Sequence, residues 1–548
     1  MRYRSLISAF SIVGVLAVLM LVPSFKSLAE ASPAPTCPVG WPGNGTLAIA
    51  LISDLHFGVG KQADNTWDPT EDFRWSDALQ GFLDALSTCG NNHVDLVIAG
   101  DLLELWQPTD IVACKQSQDS GYGCTPEEMK RIAEVVVAAH QVDLAKLGTF
   151  AMKGSNRLIV IPGNHDAALL LDDIWSLVKS KINVEDSTRL IRVGKGVWVS
   201  NDGTVVAEHG HQIGTEVNSY GDWPTITAMK GQTSYVIRPW GERFVQKLYN
   251  DIERKFPIID NLVPESAGVR YYRENRGYVG SAKDFARFLK FNLLETSLSQ
   301  KVKFLGGSET ATDRPQWDLP KARTLGYRLF ADSLPPNDPT RHSLLTDQQQ
   351  EWDDLRGQLT ALAKNARELP DNEVRALCDQ IAIRASDTKG SVSSCEKQKL
   401  GYLLESKLVP KDWILTSHLT QRWDEEKITE VKYFVYGHTH IPEFDWRVKV
   451  KGIRNVEILN TGAFQRLIDE TTFVEKTKGK EAADALGSLH LEDLPACYAC
   501  VLVGYNDGKP NAQLTYWYQE EEKPTQPGKF VAPCDSLCGK LSKRCQDK

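Results

Sequence analysis

Tyr436-Gly437-His438-Thr439-His440 closes the apolar, β-rich run Tyr433-Phe434-Val435-Tyr436 and is followed by Ile441-Pro442. A run of this kind, ended by Gly with Pro just beyond, predicts a buried strand that stops in a tight turn carrying two histidines. Histidines at i and i+2 cannot share a helix face; at the end of a strand, where the chain turns, both can reach one site. Four further motifs follow apolar runs in the same way. Asp54-Leu55-His56 follows residues 47–52, Gly100-Asp101 follows 94–99, Gly163-Asn164-His165-Asp166 follows 158–161, and Glu208-His209-Gly210-His211 follows 205–207. Continuous Val/Ile/Leu-rich runs suit strands buried on both faces. Side chains at the carboxyl ends of such strands converge on one crevice. Six of the eleven histidines fall inside these five motifs, which is hard to reconcile with histidines that merely fill a core or a loop.

The ordered set Asp-x-His, Gly-Asp, Gly-Asn-His-Asp, His-Gly-His and Gly-His-Thr-His resembles the calcineurin-like metallophosphoesterase superfamily. The motifs that carry the resemblance lie in residues 47–211 and 433–462. It implies an α/β (α+β) fold, a four-layer αββα sandwich, here with a large, mainly helical insertion. It also implies two divalent metal ions: Mn, Fe or Zn, which suit His, Asp and Asn ligands. By resemblance, Asp54, His56 and His440 would bind one metal, Asn164, His209 and His438 the other, and Asp101 would bridge. The implied reaction is hydrolysis of a phosphomonoester or phosphodiester by a bridging hydroxide, with both metals clamping the phosphoryl oxygens. His165 is then the group that protonates the leaving oxygen or stabilises transition-state charge, and Asp166 orients it. Asp166 also reads as an N-cap ahead of Ala167. His211 is assigned to the substrate side and not to a metal. Glu104 and Trp106 read either as a helix start with a packed aromatic or as a substrate wall.

Purple acid phosphatases of this superfamily carry a tyrosine ligand three residues after the bridging aspartate. Glu104 stands there, which argues against the ferric branch. The 5′-nucleotidases have a separate C-terminal substrate domain, for which this chain has too little sequence after its last core strands. Gly100-Asp101-Leu102-Leu103-Glu104-Leu105-Trp106 looks like the corresponding stretch of UDP-2,3-diacylglucosamine pyrophosphatases. That likeness does not fix the substrate; the alternative enzyme reading is a pyrophosphatase or phospholipid-directed hydrolase whose helical insertion grips the apolar part. Outside catalysis, the alternative is a scaffold that keeps the fold, as a retromer subunit does; the presence of every expected ligand and of His165 weighs against it.

The chain has 548 residues, 42% hydrophobic and 24% charged, the balance of a globular protein with room for more than one domain. Met1-Arg2-Tyr3-Arg4, an apolar run over residues 6–22 and Ala29-Glu30-Ala31 read as a secretory signal cleaved after Ala31. The alternative is an uncleaved membrane anchor. Arg2, Arg4, Lys26 and Glu30 leave with the signal, a net of +2, so the formal charge moves from −8 to −10. An acidic chain is a poor general binder of nucleic acid. The expected partner is a phosphorylated small molecule or lipid, with membrane contact left open. Eleven cysteines in an exported chain read as disulfides, with at least one thiol unpaired within the chain. The Cys497-x-x-Cys500 pair reads as structural before redox or zinc-binding.

In order, the chain divides into a signal (1–31), a Pro/Gly-rich linker (32–45), the first part of the core (46–220), a helical insertion or cap (221–430), the second part of the core (431–518) and a Cys-containing tail (519–548). Expected local features are a helix near 75–87 and a capping box at Thr125-Pro126-Glu127-Glu128 opening a helix to about 147. Further on come a helix over 167–182 and a hairpin around Asn201-Asp202-Gly203. The insertion shows helical periodicity at 243–255, 282–298 and 347–369, with Cys378 and Cys395 expected to pair. A last hairpin turns at Asp507-Gly508.

Overall fold

The computed structural model describes residues 36–263 and 411–546, except 46, 109–113, 115–121, 214–217, 240, 243–244, 427–429, 451–453, 481 and 521–526. The expected signal or anchor, the helices at 282–298 and 347–369 and the Cys378–Cys395 pair lie outside the described residues.

The strands, in chain order, are β1 (Ala48–Ile52), β2 (Val94–Ala99), β3 (Arg157–Ile161), β4 (Leu190–Arg192), β5 (Val197–Val199), β6 (Val205–Glu208), β7 (Thr227–Lys230), β8 (Thr233–Val236), β9 (Leu262–Val263), β10 (Tyr433–Tyr436), β11 (Glu443–Val450), β12 (Arg454–Asn460), β13 (Ile468–Asp469), β14 (Cys497–Asn506), β15 (Lys509–Tyr518) and β16 (Lys529–Val531). A seven-stranded sheet runs β16-β15-β14-β1-β2-β3-β4, and a five-stranded sheet runs β11-β12-β10-β6-β5. The motif-bearing strands β1, β2 and β3 are mutually parallel, as are β6 and β10, so their carboxyl ends open on the same edge of each sheet.

Side-chain alternation sorts the layers. Ile49, Leu51, Val97, Ala99, Ile159 and Ile161 of the larger sheet meet Val205, Ala207, Val435 and Leu459 of the smaller one in a shared core. The alternate residues Ala50, Ile52, Leu96, Ile98, Leu158 and Val160 face outward into a second core. That core is covered by helices α1 (Ser76–Cys89), α2 (Pro126–Ala139), α3 (Gln141–Met152) and α4 (Asp172–Ile182). On the far side, Val206, Phe434, Tyr436 and Ile458 pack against Leu415, Leu419 and Trp423 of the helix Lys411–Glu426. Helix, sheet, sheet and helix make the expected αββα sandwich. The central strands β1, β2 and β6 are buried on both faces, which is why the motif strands read as continuous apolar runs.

Thr125 and Glu128 form the expected capping box, each side chain accepting from the other's backbone amide. The expected helix to 147 is interrupted at His140, which ends α2 and opens α3. The expected helix over 167–182 is a 3-10 turn (Ala167–Leu170), an extended Leu171, and then α4. The hairpins at Asp202-Gly203 and Asp507-Gly508 form, as β5–β6 and β14–β15. Within 243–255 the described residues form a π-turn (Val245–Tyr249) and a short helix (Asn250–Glu253). Residues 221–263, assigned to the insertion, pack on the core: Leu262 and Val263 pair with β13, and Gln246 and Asn250 hydrogen-bond the backbone of Trp106 and Gln107.

Disulfides join Cys37 to Cys89, Cys114 to Cys124, Cys497 to Cys538 and Cys534 to Cys545. Cys497 and Cys500 do not pair with each other; Cys500 is a buried free thiol, pushed well above the usual range by burial. The tail is thus stapled back onto β14. No helix among the described residues is long and apolar enough to cross a membrane.

Candidate metal centre

Each motif residue is delivered by the turn that ends its strand. These turns are tight: Asp54, His56, Asp101, His438 and His440 all adopt positive φ, between +50° and +70°. Non-glycine residues rarely sit there, and clustered strain of this kind marks functional sites. Gly100, at φ +93°, lets the β2 turn pass under His209; a Cβ there would lie 2.2 Å from its Nδ1.

Two groups of ligand-type atoms result. Asp54, His56 and His440 converge within 4.8 Å of one another, and Asp101, His209 and His438 do the same. In the first, Asp54 Oδ1 lies 3.3 Å from His440 Nε2 and 3.8 Å from His56 Nε2. In the second, His209 Nε2 lies 2.9 Å from both Asp101 Oδ2 and Asn164 Oδ1. Asp101 Oδ2 also lies 3.8 Å from His56 Nε2, so it stands between the groups. Its other oxygen accepts from the His165 amide at 2.8 Å.

The ring tautomers are set from behind. His209 Nδ1 donates to Ala99 O at 2.9 Å and His56 Nδ1 donates to Glu104 Oε2 at 3.0 Å, which turns both Nε2 atoms inward. His56 Nε2 and Asp54 Oδ1 are buried without a hydrogen-bond partner. A buried orphan lone pair is costly. Carboxylate oxygens, an amide oxygen and imidazole nitrogens turned on common points are a donor set for divalent Mn, Fe or Zn. Burial alone would raise the Asp101 carboxyl, but His209, His165 and His56 hold it far below the usual carboxylate range. Burial likewise opposes charge on His209, yet Asp101 beside it raises its pKa to about 9. Burial and the neighbouring His209 lower His438 to about 3, which leaves its ring neutral and able to ligate.

Glu104 is the carboxylate that holds His165: its Oε2 lies 2.5 Å from His165 Nδ1, and its Oε1 accepts from the amides of Trp106 and Gln107. Burial would raise Glu104, but His165 and His56 keep it ionised, at about 2. Trp106 stacks on the His165 ring at 4.0 Å and 26°. No helix starts here, and both residues are buried, so they support His165 and do not form an exposed wall.

Asp166 is placed differently from expectation. Its oxygens accept from the amides of Gly163, Leu102 and Leu103, and its side chain neither meets His165 nor caps the 3-10 turn. It locks the turns carrying Asp101 and Asn164 together. Burial and the nearby Asp101 raise it to about 7. His211 is buried behind His209, with its ring edge-on to Trp223 at 4.4 Å. Burial and the charge on His209 push it well below the usual histidine range. It packs the wall of the site.

Four supporting residues have no place among the sequence-predicted site residues. Ser53 bonds Asp54 Oδ2, Thr461 and Gly462 O. Asn460 donates to Gly437 O at 2.8 Å and to Thr439 at 3.0 Å, holding the His-x-His turn closed. Both belong to motif-adjacent stretches and were legible in principle. Asn218, 3.3 Å from His438 Nε2, and Tyr220, whose hydroxyl donates to Asn164 O at 3.2 Å, had no such signal.

Residues 47–295 match the family model for calcineurin-like phosphoesterase. The chain carries a calcineurin-like phosphoesterase domain. No curated protein and no solved structure matches the chain. The matched stretch of the phosphoesterase domain ends well before His438 and His440, and the parallel pairing of β10 with β6 is what brings them to the other ligand-type side chains. Metal-dependent phosphoester hydrolysis is the chemistry of this family, and the clustered ligand atoms accord with it.

Proposed function

We propose that the chain is an exported hydrolase that cleaves a phosphomonoester or phosphodiester at a centre of two divalent metals. The observation that carries this is the position of Asp101 Oδ2, 2.9 Å from His209 Nε2 and 3.8 Å from His56 Nε2, between two groups of ligand atoms. Asp54, His56 and His440 would hold one ion; Asn164, His209 and His438 the other; Asp101 would serve both. Metals in such a pair clamp phosphoryl oxygens and ionise a water near neutral pH.

The protein's own groups do the rest. His165 spends Nδ1 on Glu104, so Nε2 is the atom from which a proton passes to the leaving oxygen. Glu104 fixes that tautomer, and Trp106 fixes the ring plane. With its side chain 17% exposed, His165 is the most open of these groups, as an acid that must meet substrate should be. Four disulfides among the described residues support export.

The test is a substrate panel. p-Nitrophenyl phosphate, its bis ester and its phosphonate ester are offered to the chelated chain and to the chain reloaded with Mn, Fe or Zn. Metal-dependent turnover of at least one, lost in Asp101→Asn, supports the reading. Turnover unaffected by chelation refutes it.

A further inference from the structure

A second set of acidic side chains lies outside the centre just described. Asp72, Glu253 and Asp260 bring carboxylate oxygens within 4.8 Å of one another. Asp72 and Glu253 are buried, at 5% and 0% exposure. Asp72 makes no hydrogen bond and no ion pair, and no lysine or arginine pairs with any of the three, among the described residues. Among the described residues the Glu253 side chain is met only by the Gln107 amide, which donates to both of its oxygens at 3.0 and 2.8 Å. The oxygen of that same amide, Gln107 Oε1, is buried with no donor, as is Asp260 Oδ1. Acceptors therefore outnumber donors in a buried place, which is unfavourable unless something positive fills it. Burial and the neighbouring Asp260 raise Asp72 and Glu253, and burial raises Asp260 itself against the opposing effect of His440.

We propose that Asp72, Glu253 and Asp260 form a third cation site that takes Ca2+. The ligand chemistry selects the ion. All donors are oxygens, which suit Ca2+, Mg2+ or Mn2+ over zinc. Calcium binds oxygens at about 2.3–2.6 Å, so ligands on opposite sides of one ion lie up to about 5 Å apart, which matches the spread here. Magnesium prefers shorter bonds, a rigid octahedron and retained waters, and is seldom held by three carboxylates.

The site joins three parts of the molecule. Asp72 lies in the loop that follows the His56 motif, Gln107 ends the turn that carries Glu104, and Glu253 and Asp260 belong to the segment packed over that turn. Calcium there clamps this segment onto the back of the catalytic turn. It is a stabilising ion, separate from the ions that do chemistry.

The test uses the full chain, stripped with chelator, reloaded with its transition metal and titrated with Ca2+ in excess Mg2+. Bound calcium, bound transition metal and the thermal unfolding midpoint are read together. The proposal expects one tightly held Ca2+ per chain, a midpoint that rises with calcium by mass action, and unchanged transition-metal content. Asp72→Asn should weaken calcium by about tenfold or more, since affinity follows ligand charge. Glu253→Gln should do the same; if that variant fails to fold, Asp72→Asn decides alone, because its side chain has no hydrogen bond to lose. No calcium uptake over the Mg2+ background overturns the proposal, as does an equal midpoint shift in wild type and Asp72→Asn. A wild type indifferent to calcium, with Asp72→Asn more stable than it, also overturns it and means that protons neutralise the cluster.

Discussion

Glu104→Gln keeps the shape of one side chain and removes one charge, and the geometry makes its consequence specific. Glu104 Oε2 accepts from Nδ1 of both His56 and His165, while Oε1 accepts from the Trp106 and Gln107 amides. A carboxylate can serve four donors; a glutamine cannot. If its NH2 faces the imidazoles, both rings must present a lone pair at Nδ1 and carry the proton at Nε2, the atom His56 needs for metal. If it faces the backbone, two amide donors oppose it, and burial makes that arrangement cost about 1–3 kcal/mol per unmet donor. Loss of a carboxylate behind a ligating histidine typically weakens metal binding by about 10–100-fold. Loss of the His165 orienting charge should slow turnover, up to the roughly 10²–10⁴-fold that acid–base assistance supplies. The assay is metal content by elemental analysis beside kcat for p-nitrophenyl and alkyl phosphates. Both should fall in Glu104→Gln, with the alkyl ester hit harder. A variant with full metal content and unchanged kcat on both esters would refute the tautomer argument.

His165→Ala should keep its metals and lose rate mainly on poor leaving groups; equal slowing of both esters, measured as above, would place His165 in the phosphate-binding shell instead. Asp101→Asn should abolish turnover and lower metal content, and near-wild-type turnover would sink the shared-ligand arrangement. His140 is buried between Glu71 and Asp143, at 3.3 and 3.0 Å, and despite the opposing effect of burial these raise its pKa from 6.5 to about 9. A raised histidine stabilises the fold fully below its unfolded pKa, so about 3 kcal/mol should be present below pH 6.5 and lost as pH climbs through 9. Denaturant titrations across pH 6–10 should show that slope in the wild type and a flatter one in His140→Gln. Reduction of Cys37–Cys89, which closes a 52-residue span, should cost about 4 kcal/mol on the chain-entropy estimate, read as a fall in the urea midpoint.

Legibility followed how local the physics is. The αββα layers were readable because strands buried on both faces leave unbroken apolar runs, and each ligand sits just past one of them. The capping box at Thr125 and the two Asp-Gly hairpins were readable because their signals lie within four residues. The role of Asp166 was misread: sequence adjacency to His165 suggested contact, but a carboxylate at the head of a turn finds backbone amides sooner than the next side chain. Glu104 reached His165 across two strands, a distance along the sequence that no motif encodes. The break at His140 followed from its buried carboxylate partners, one of them Glu71, far upstream. Of the site wall from Asn218 to Asp260 only residues 243–255 carry a sequence signal, a helical period, and it does not encode that Gln246 and Asn250 reach turns more than a hundred residues away.

Metal stoichiometry measured against activity tests the central claim most directly. The purified chain is stripped, titrated with Mn, Fe or Zn, and assayed at each step for bound metal and phosphoester hydrolysis. The account predicts no activity when stripped, full activity as bound metal reaches two per chain, and neither in Asp101→Asn. Full activity in the stripped chain, or saturation at one bound metal with His209→Ala still active, would contradict it.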